Sequence, residues 1–186
     1  MQVIDKTTNR IATRNGLFRW LVFNIVVGND DCHLKNLSFH VSHDGIELAR
    51  HCDFLCTGAY HTRTQVPMAF ALPGAKTFGD VTLGSVLAAA EQLGVPESVA
   101  RRIVREVSTR VEREFARIVA EHDEVAKKTP PERMAYTAQA DRLLRVVQHI
   151  TLKDMLRRLS DTQNQVGHER APNASDGRAD SQPLAE

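Results

Sequence analysis

Two carboxylates and a carboxamide in the first third of the chain are of the types that handle a proton and a hard cation. Asp31 stands five residues before Asn36 in the segment Gly28-Asn29-Asp30-Asp31-Cys32-His33-Leu34-Lys35-Asn36. A carboxylate at the first position can accept or orient a hydroxyl proton. A carboxamide oxygen at the second can help hold magnesium, which takes a few hard oxygen ligands and completes its shell with water or phosphate. A methyl group serves neither purpose. A further carboxylate must come from a neighbouring element, and Asp53, seventeen residues after Asn36, supplies it.

These residues need elements to carry them. After Asn15-Gly16 the run Leu17, Phe18, Trp20, Leu21, Val22, Phe23, Ile25, Val26, Val27 is long enough to predict a buried helix, although its β-branched end also reads as strand. Gly28 breaks the run, and Asn29-Asp30-Asp31 marks a loop. Leu37, Phe39 and Val41 then alternate with Ser38, His40 and Ser42, and Ile46 and Leu48 resume the alternation beyond Asp44-Gly45. That pattern predicts a short β-hairpin between the loop and Asp53. Residues 57–80, with Pro67, Pro73 and several glycines, read as an ordered surface segment with little regular structure.

Leu83, Val86, Leu87, Ala90 and Leu93 fall at helical spacing and end at Gly94. Pro96 fits the first turn of a second helix, whose apolar stripe is Val99, Ile103, Val104, Val107, Val111, Phe115 and Ile118. Thr129-Pro130-Pro131-Glu132 fits a capping box that opens a third helical stretch through Met134, Leu144, Val147, Met155 and Leu159. One helix, or two broken near Thr151, both fit. Residues 1–13 are polar and read as a connector. Beyond residue 161 almost no apolar side chain remains, and residues 162–186 are expected to be a disordered tail.

Composition narrows the function classes. Hydrophobic residues make up 42% and charged residues 25%, the balance of a globular chain. Twenty-four Lys and Arg against twenty-three Asp and Glu leave a net charge of +1, so no global field draws the chain to nucleic acid or an anionic membrane. No run approaches the ~18 consecutive apolar residues of a membrane helix, and Met1 is followed by a polar stretch, so a cytoplasmic location is expected. Cys32, Cys52 and Cys56 read as reduced thiols. With His33, His40, His43, His51 and His61 they crowd into thirty residues, which raises zinc, but no C-x-x-C pair exists and buried cysteine is the preferred reading. Arg101, Arg102, Arg105, Arg110, Arg113 and Arg117 are interrupted by Glu106, Glu112 and Glu114, the mark of a solvated, ion-paired helix face.

The spacing of Asp31 and Asn36 is that of a protein-kinase catalytic loop, and Asp53-Phe54-Leu55 resembles the Asp-Phe-Gly metal motif with its glycine replaced. The longer pattern Gly28-Asn29-x-Asp31-x-His33-x-Lys35-Asn36, followed by an apolar strand, resembles the catalytic loop of HipA-like toxin kinases. Pro67 to Pro73, the Gly74-Ala75-Lys76 turn and the helices from Leu83 and Pro96 are similar to the same family's carboxyl-terminal pattern. The resemblance implies a mainly α fold, a protein-kinase-like C-terminal lobe over residues 14–161 with one small β-hairpin after the catalytic loop. It implies Asp31 as the catalytic aspartate and Asn36 and Asp53 as Mg2+ ligands. Lys35 and His33 match motif positions on the ATP side, Lys35 to neutralise phosphate charge and His33 to brace the loop by hydrogen bonds.

The implied activity is phosphoryl transfer from magnesium-ATP to a serine or threonine of a protein substrate, and the implied partner is an antitoxin of the HipB type. Two departures stand out. The family's Pro-x-Tyr-Asp reads Arg50-His51-Cys52-Asp53 here. The residues before Asp31 contain no glycine-rich phosphate loop and a single lysine, Lys6. Because phosphoryl transfer relies on positioning and charge neutralisation, the chain alone is expected to be inactive or nearly so, as a truncated product or one part of a split kinase with a separate N-terminal lobe. The alternative is a non-catalytic interaction module that binds an antitoxin or partner subunit. An apolar patch where a missing lobe docks is also expected.

Overall fold

Helix α1 (Arg10–Val27) is the axis on which the other elements pack. The computed structural model describes residues 3–59, 67–70 and 72–160, apart from the side chain of Ile150. Asn9 caps α1, its side-chain oxygen accepting from the Ala12 N–H at 2.9 Å. The helix thus starts ahead of the apolar run, and the boundary read at residue 13 falls inside it. Before it, the 3-10 turn Ile4–Lys6 buries Ile4.

Phe18, Val22, Ile25 and Val26 are wholly enclosed, as suits a helix that is apolar on nearly every side. The β-branched end stays helical because enclosure by neighbouring elements outweighs a weak local preference for strand. Gly28 ends α1 in the left-handed conformation at φ 67°, its N–H shared between the Asn24 and Ile25 carbonyls.

Strands β1 (Phe39–Ser42) and β2 (Gly45–Leu48) pair antiparallel, with Phe39 opposite Leu48 and Ser42 opposite Gly45. The two-residue turn is His43-Asp44, one position earlier than the Asp44-Gly45 signal. The hairpin is tied to the N-terminal segment by Thr8, whose N–H donates to Ile46 O at 2.9 Å. Between hairpin and helices, the described residues form the 3-10 turns Thr57–Ala59 and Phe78–Asp80 and a bridge from Leu72 to Ala75, with little regular structure. The segment is not all surface, since Met68, Leu72, Ala75 and Phe78 enter the core. Residues 60–66 and 71 lie outside the described residues.

Helix α2 (Leu83–Gln92) buries Leu83, Val86, Ala89 and Ala90 against the core. Helix α3 (Glu97–Lys127) follows, with Pro96 as its N-cap residue rather than inside its first turn. Only the start of α3 is fully packed, through Ala100, Ile103 and Val104, and Ile118 is already 45% exposed. Its polar side carries the expected ion pairs, among them Arg101 with Glu97 and Arg117 with Glu114 and Glu121.

The capping box read at Thr129 does not form. Its hydroxyl donates instead to Val125 O at 2.8 Å and closes the end of α3. After the 3-10 turn Pro131–Arg133, helix α4 (Met134–Val146) runs through a π-helical turn, Val147–Leu152, into α5 (Lys153–Leu159). The stretch is therefore one helical rod with a wide turn containing Thr151, and its end buries Met155 and Leu159. Residues 162–186, expected to be disordered, and His61 lie outside the described residues. The described chain is mainly helical with one two-stranded hairpin, and no described helix is long and apolar enough to cross a membrane.

Candidate functional site

The left-handed end of α1 turns the chain into the loop that carries Asp31 and Asn36. Asn29, 1% exposed, sits at its base. Its Nδ2 donates to Asn24 Oδ1 at 2.8 Å and to Asp53 O at 3.3 Å, while its Oδ1 accepts from the Asp31 N–H at 3.2 Å. One buried carboxamide thus joins the backbone of Asp31 to that of Asp53. Asn24 is itself held in α1 by donating to Trp20 O at 2.8 Å. A second tie is the Thr57 hydroxyl, which donates to Gly28 O at 2.9 Å and accepts from the Asp30 N–H at 2.8 Å.

Of the two adjacent aspartates, Asp30 is buried and Asp31 is exposed. The loop closes through His33 N–H to Asp31 O at 2.9 Å and Asn36 N–H to His33 O at 3.0 Å, forming the 3-10 turn Leu34–Asn36. Asn36, 7% exposed, turns its Nδ2 inward to Asp31 O at 3.3 Å, a bond in which Oδ1 takes no part. Asp53 is exposed and stands at φ 59°, a left-handed conformation that crowds any residue with a β-carbon. The Asn29 grip on its carbonyl and the edge-on packing of Phe54 against Phe23, with centroids 4.8 Å apart, hold it there.

Lys35 is exposed at the loop tip. The His33 ring does not brace the loop through Nδ1, which is buried without a hydrogen-bond partner; the bracing comes from the His33 backbone. Burial pushes the Cys32 thiol up to about 12, with the charges of Asp30 and Asp31 acting in the same direction, so the free thiol stays protonated. All three cysteines are free. Among the described residues no three His, Cys, Asp or Glu side chains are grouped to hold a metal. The loop and the segment after the hairpin offer oxygen donors in the Asn36 carboxamide and the carboxylates of Asp31 and Asp53. That all-oxygen set suits magnesium by its chemistry.

The family model described as the HipA-like C-terminal domain matches residues 1–115, which include the loop, the hairpin, Asp53, α2 and the packed part of α3. This chain belongs to the HipA-like C-terminal domain family. It is 24% identical over 114 residues to the serine/threonine-protein kinase toxin HipA of Shewanella oneidensis, a match covering 61% of this chain and 26% of that protein. The HipA-like chain thus spans about a quarter of the curated relative's length. Its fold is similar to a solved Shewanella oneidensis complex of HipA, HipB and operator DNA, with a TM-score of 0.60 at 20% identity over 84% of this chain and 36% of that one.

The HipA-like domain also carries an apolar groove of about 770 Å³ between α1 and α3, lined by Trp20, Phe23, Phe54, Val111, Phe115 and Ile118 among others. Phe54 adjoins Asp53, so the groove reaches the edge of the loop site. Sequence reasoning assigned no role to Asn24, Asn29 or Thr57. A carboxamide inside the run Phe23-Asn24-Ile25 was the available signal, since a polar group in a buried helix must find a partner.

Proposed function

We propose that this HipA-like chain is the C-terminal catalytic lobe of a protein serine/threonine kinase of the toxin–antitoxin type. In this reading Asp31 orients the substrate hydroxyl, and Asn36 Oδ1 and the Asp53 carboxylate hold magnesium. The observation that carries it is the Asn29 carboxamide, which links the backbones of Asp31 and Asp53 across the loop base. The exposure of Asp31 beside the buried Asp30 supports the choice between them, because a substrate hydroxyl must reach the reacting oxygen. Magnesium bound there would neutralise the charge of the ATP phosphates, and Lys35 on the exposed tip would add to that neutralisation.

The 186 residues hold no glycine-rich phosphate loop, so in this reading the nucleotide is fixed largely by an N-terminal lobe outside them. A HipB-like antitoxin is the proposed regulatory partner in the cytoplasm. The net charge of +1 leaves operator contacts to that partner. A second reading, a non-catalytic module that binds a partner subunit, is favoured by the apolar groove beside Phe54.

The test is phosphate incorporation from labelled ATP with magnesium, using the full chain with and without an N-terminal lobe taken from a HipA relative. Incorporation should require the lobe. Asp31→Asn should lower it by about 10²- to 10⁴-fold, the usual contribution of a positioned proton acceptor. Equal incorporation by wild type and Asp31→Asn would overturn the assignment. Lobe binding without any incorporation would favour the second reading.

A further inference from the structure

Behind the loop, three stretches of backbone meet at Gly28, the first residue of the loop motif. Gly58 N–H donates to Gly28 O at 2.8 Å, bringing the segment after Asp53 against the residue from which the loop departs. Thr151, 8% exposed and inside the π-helical turn, closes this junction from the far side. A β-carbon on Gly28 would lie 2.4 Å from Thr151 Cγ2, and one on Gly58 would lie 3.2 Å from Thr151 Oγ1. The threonine methyl is therefore seated on Gly28 and its hydroxyl faces Gly58, where Cys56 Sγ also reaches Oγ1 at 3.7 Å.

The π turn determines that Thr151 is the residue facing this point. Met155 and Leu159 pin α5 to the core, whereas α4 is fastened to α3 by the His122 to Asp141 contact at 2.7 Å. The wide turn lies between those two anchors. Such turns are rare and recur near functional sites.

We propose that Thr151 is a positioning residue for the cation site: wedged between Gly28 and Gly58, it sets the spacing between the loop bearing Asp31 and Asn36 and the segment bearing Asp53. This rests on reading Asn36 and Asp53 as the cation's ligands, with Asp31 beside them. The wedge acts through both sides of the junction, since Thr57 ties Gly28 O to the Asp30 N–H next to Asp31. A cation site held loosely loses affinity out of proportion to the displacement, so the spacing matters even though Thr151 touches no ligand.

The experiment uses the full chain labelled with 15N, with Thr151→Ser, which removes the methyl on Gly28, and Thr151→Val, which keeps one. Exchange of the Asp30 and Gly58 amide hydrogens should quicken by about tenfold or more in Thr151→Ser and stay within about twofold in Thr151→Val, with Val22 and Ile25 unchanged in both. In the same spectra, Mn2+ should broaden Asp31, Asn36 and Asp53, and Thr151→Ser should need about fivefold more Mn2+ for the same effect. Unchanged Asp30 and Gly58 exchange in Thr151→Ser, or equal acceleration at Val22 and Ile25, would overturn the proposal. Absence of broadening in wild type, or broadening that survives Asp53→Asn, would sink the cation-site reading, and the exchange rates would still decide whether Thr151 spaces the loop.

Discussion

A carboxamide has a donating end and an accepting end, and Asn29 uses both. Its nitrogen serves the Asn24 oxygen and the Asp53 carbonyl, and its oxygen serves the Asp31 N–H. Asn29→Ala would strip all three, leaving the buried Asn24 Oδ1 without its donor. A buried group that loses its partner costs about 1–3 kcal/mol, so urea denaturation should show a loss of about 2 kcal/mol. Asp31→Asn at the exposed neighbour should change stability by less than about 0.5 kcal/mol in the same measurement. The two variants thereby separate the residue that builds the loop from the one proposed to act in it.

The elements divide into a packed group and an outlying one. α1 is enclosed by α3, the π turn and α5, with α2 packed on α3, whereas α4 buries no residue. Ile25→Ala, at a site with no exposure, should destabilise by about 2–5 kcal/mol. Tyr136→Ala, 74% exposed on α4, should stay within about 0.5 kcal/mol of wild type, both read from urea midpoints. The difference follows from what each element covers: α1 supplies the floor beneath Gly28 and Asn29, and α4 leads only to the π turn. Periodicity found α2 and α3 because their apolar stripes face one core. It misjudged Thr129, since a hydroxyl between two helices can serve either, and the Val125 carbonyl of α3 holds it.

For the molecule as a whole, the pH response should carry the mark of His51. Its ring lies 6.1 Å from Trp20, and burial lowers its pKa from 6.5, opposed by a backbone hydrogen bond with Gly16. The folded chain thus favours the neutral imidazole. Above pH 6.5 both folded and unfolded forms are neutral and this contribution is fully present. As pH falls below that value the unfolded imidazole takes a proton first, so stability declines towards the folded pKa. Tm should therefore drop on acidification from pH 7 more steeply in wild type than in His51→Phe, and the two slopes should agree above pH 7. Equal slopes throughout would remove His51 as the cause.

Local order alone determined much of this chain. The spacing of Asp31, Lys35 and Asn36, the alternation that makes β1 and β2, and the stripe of α2 are properties of neighbouring residues, and the family they indicate matches residues 1–115. The separation of Asp30 from Asp31 into inside and outside was decided only in three dimensions. So were the Asn29 bridge to Asp53, the Thr57 tie and the seat of Thr151 on Gly28. Dihedral preference and period act over a few residues and say which face of an element is apolar. Which buried polar groups meet depends on how distant faces are brought together, and on which of them, once removed from water, still needs a partner.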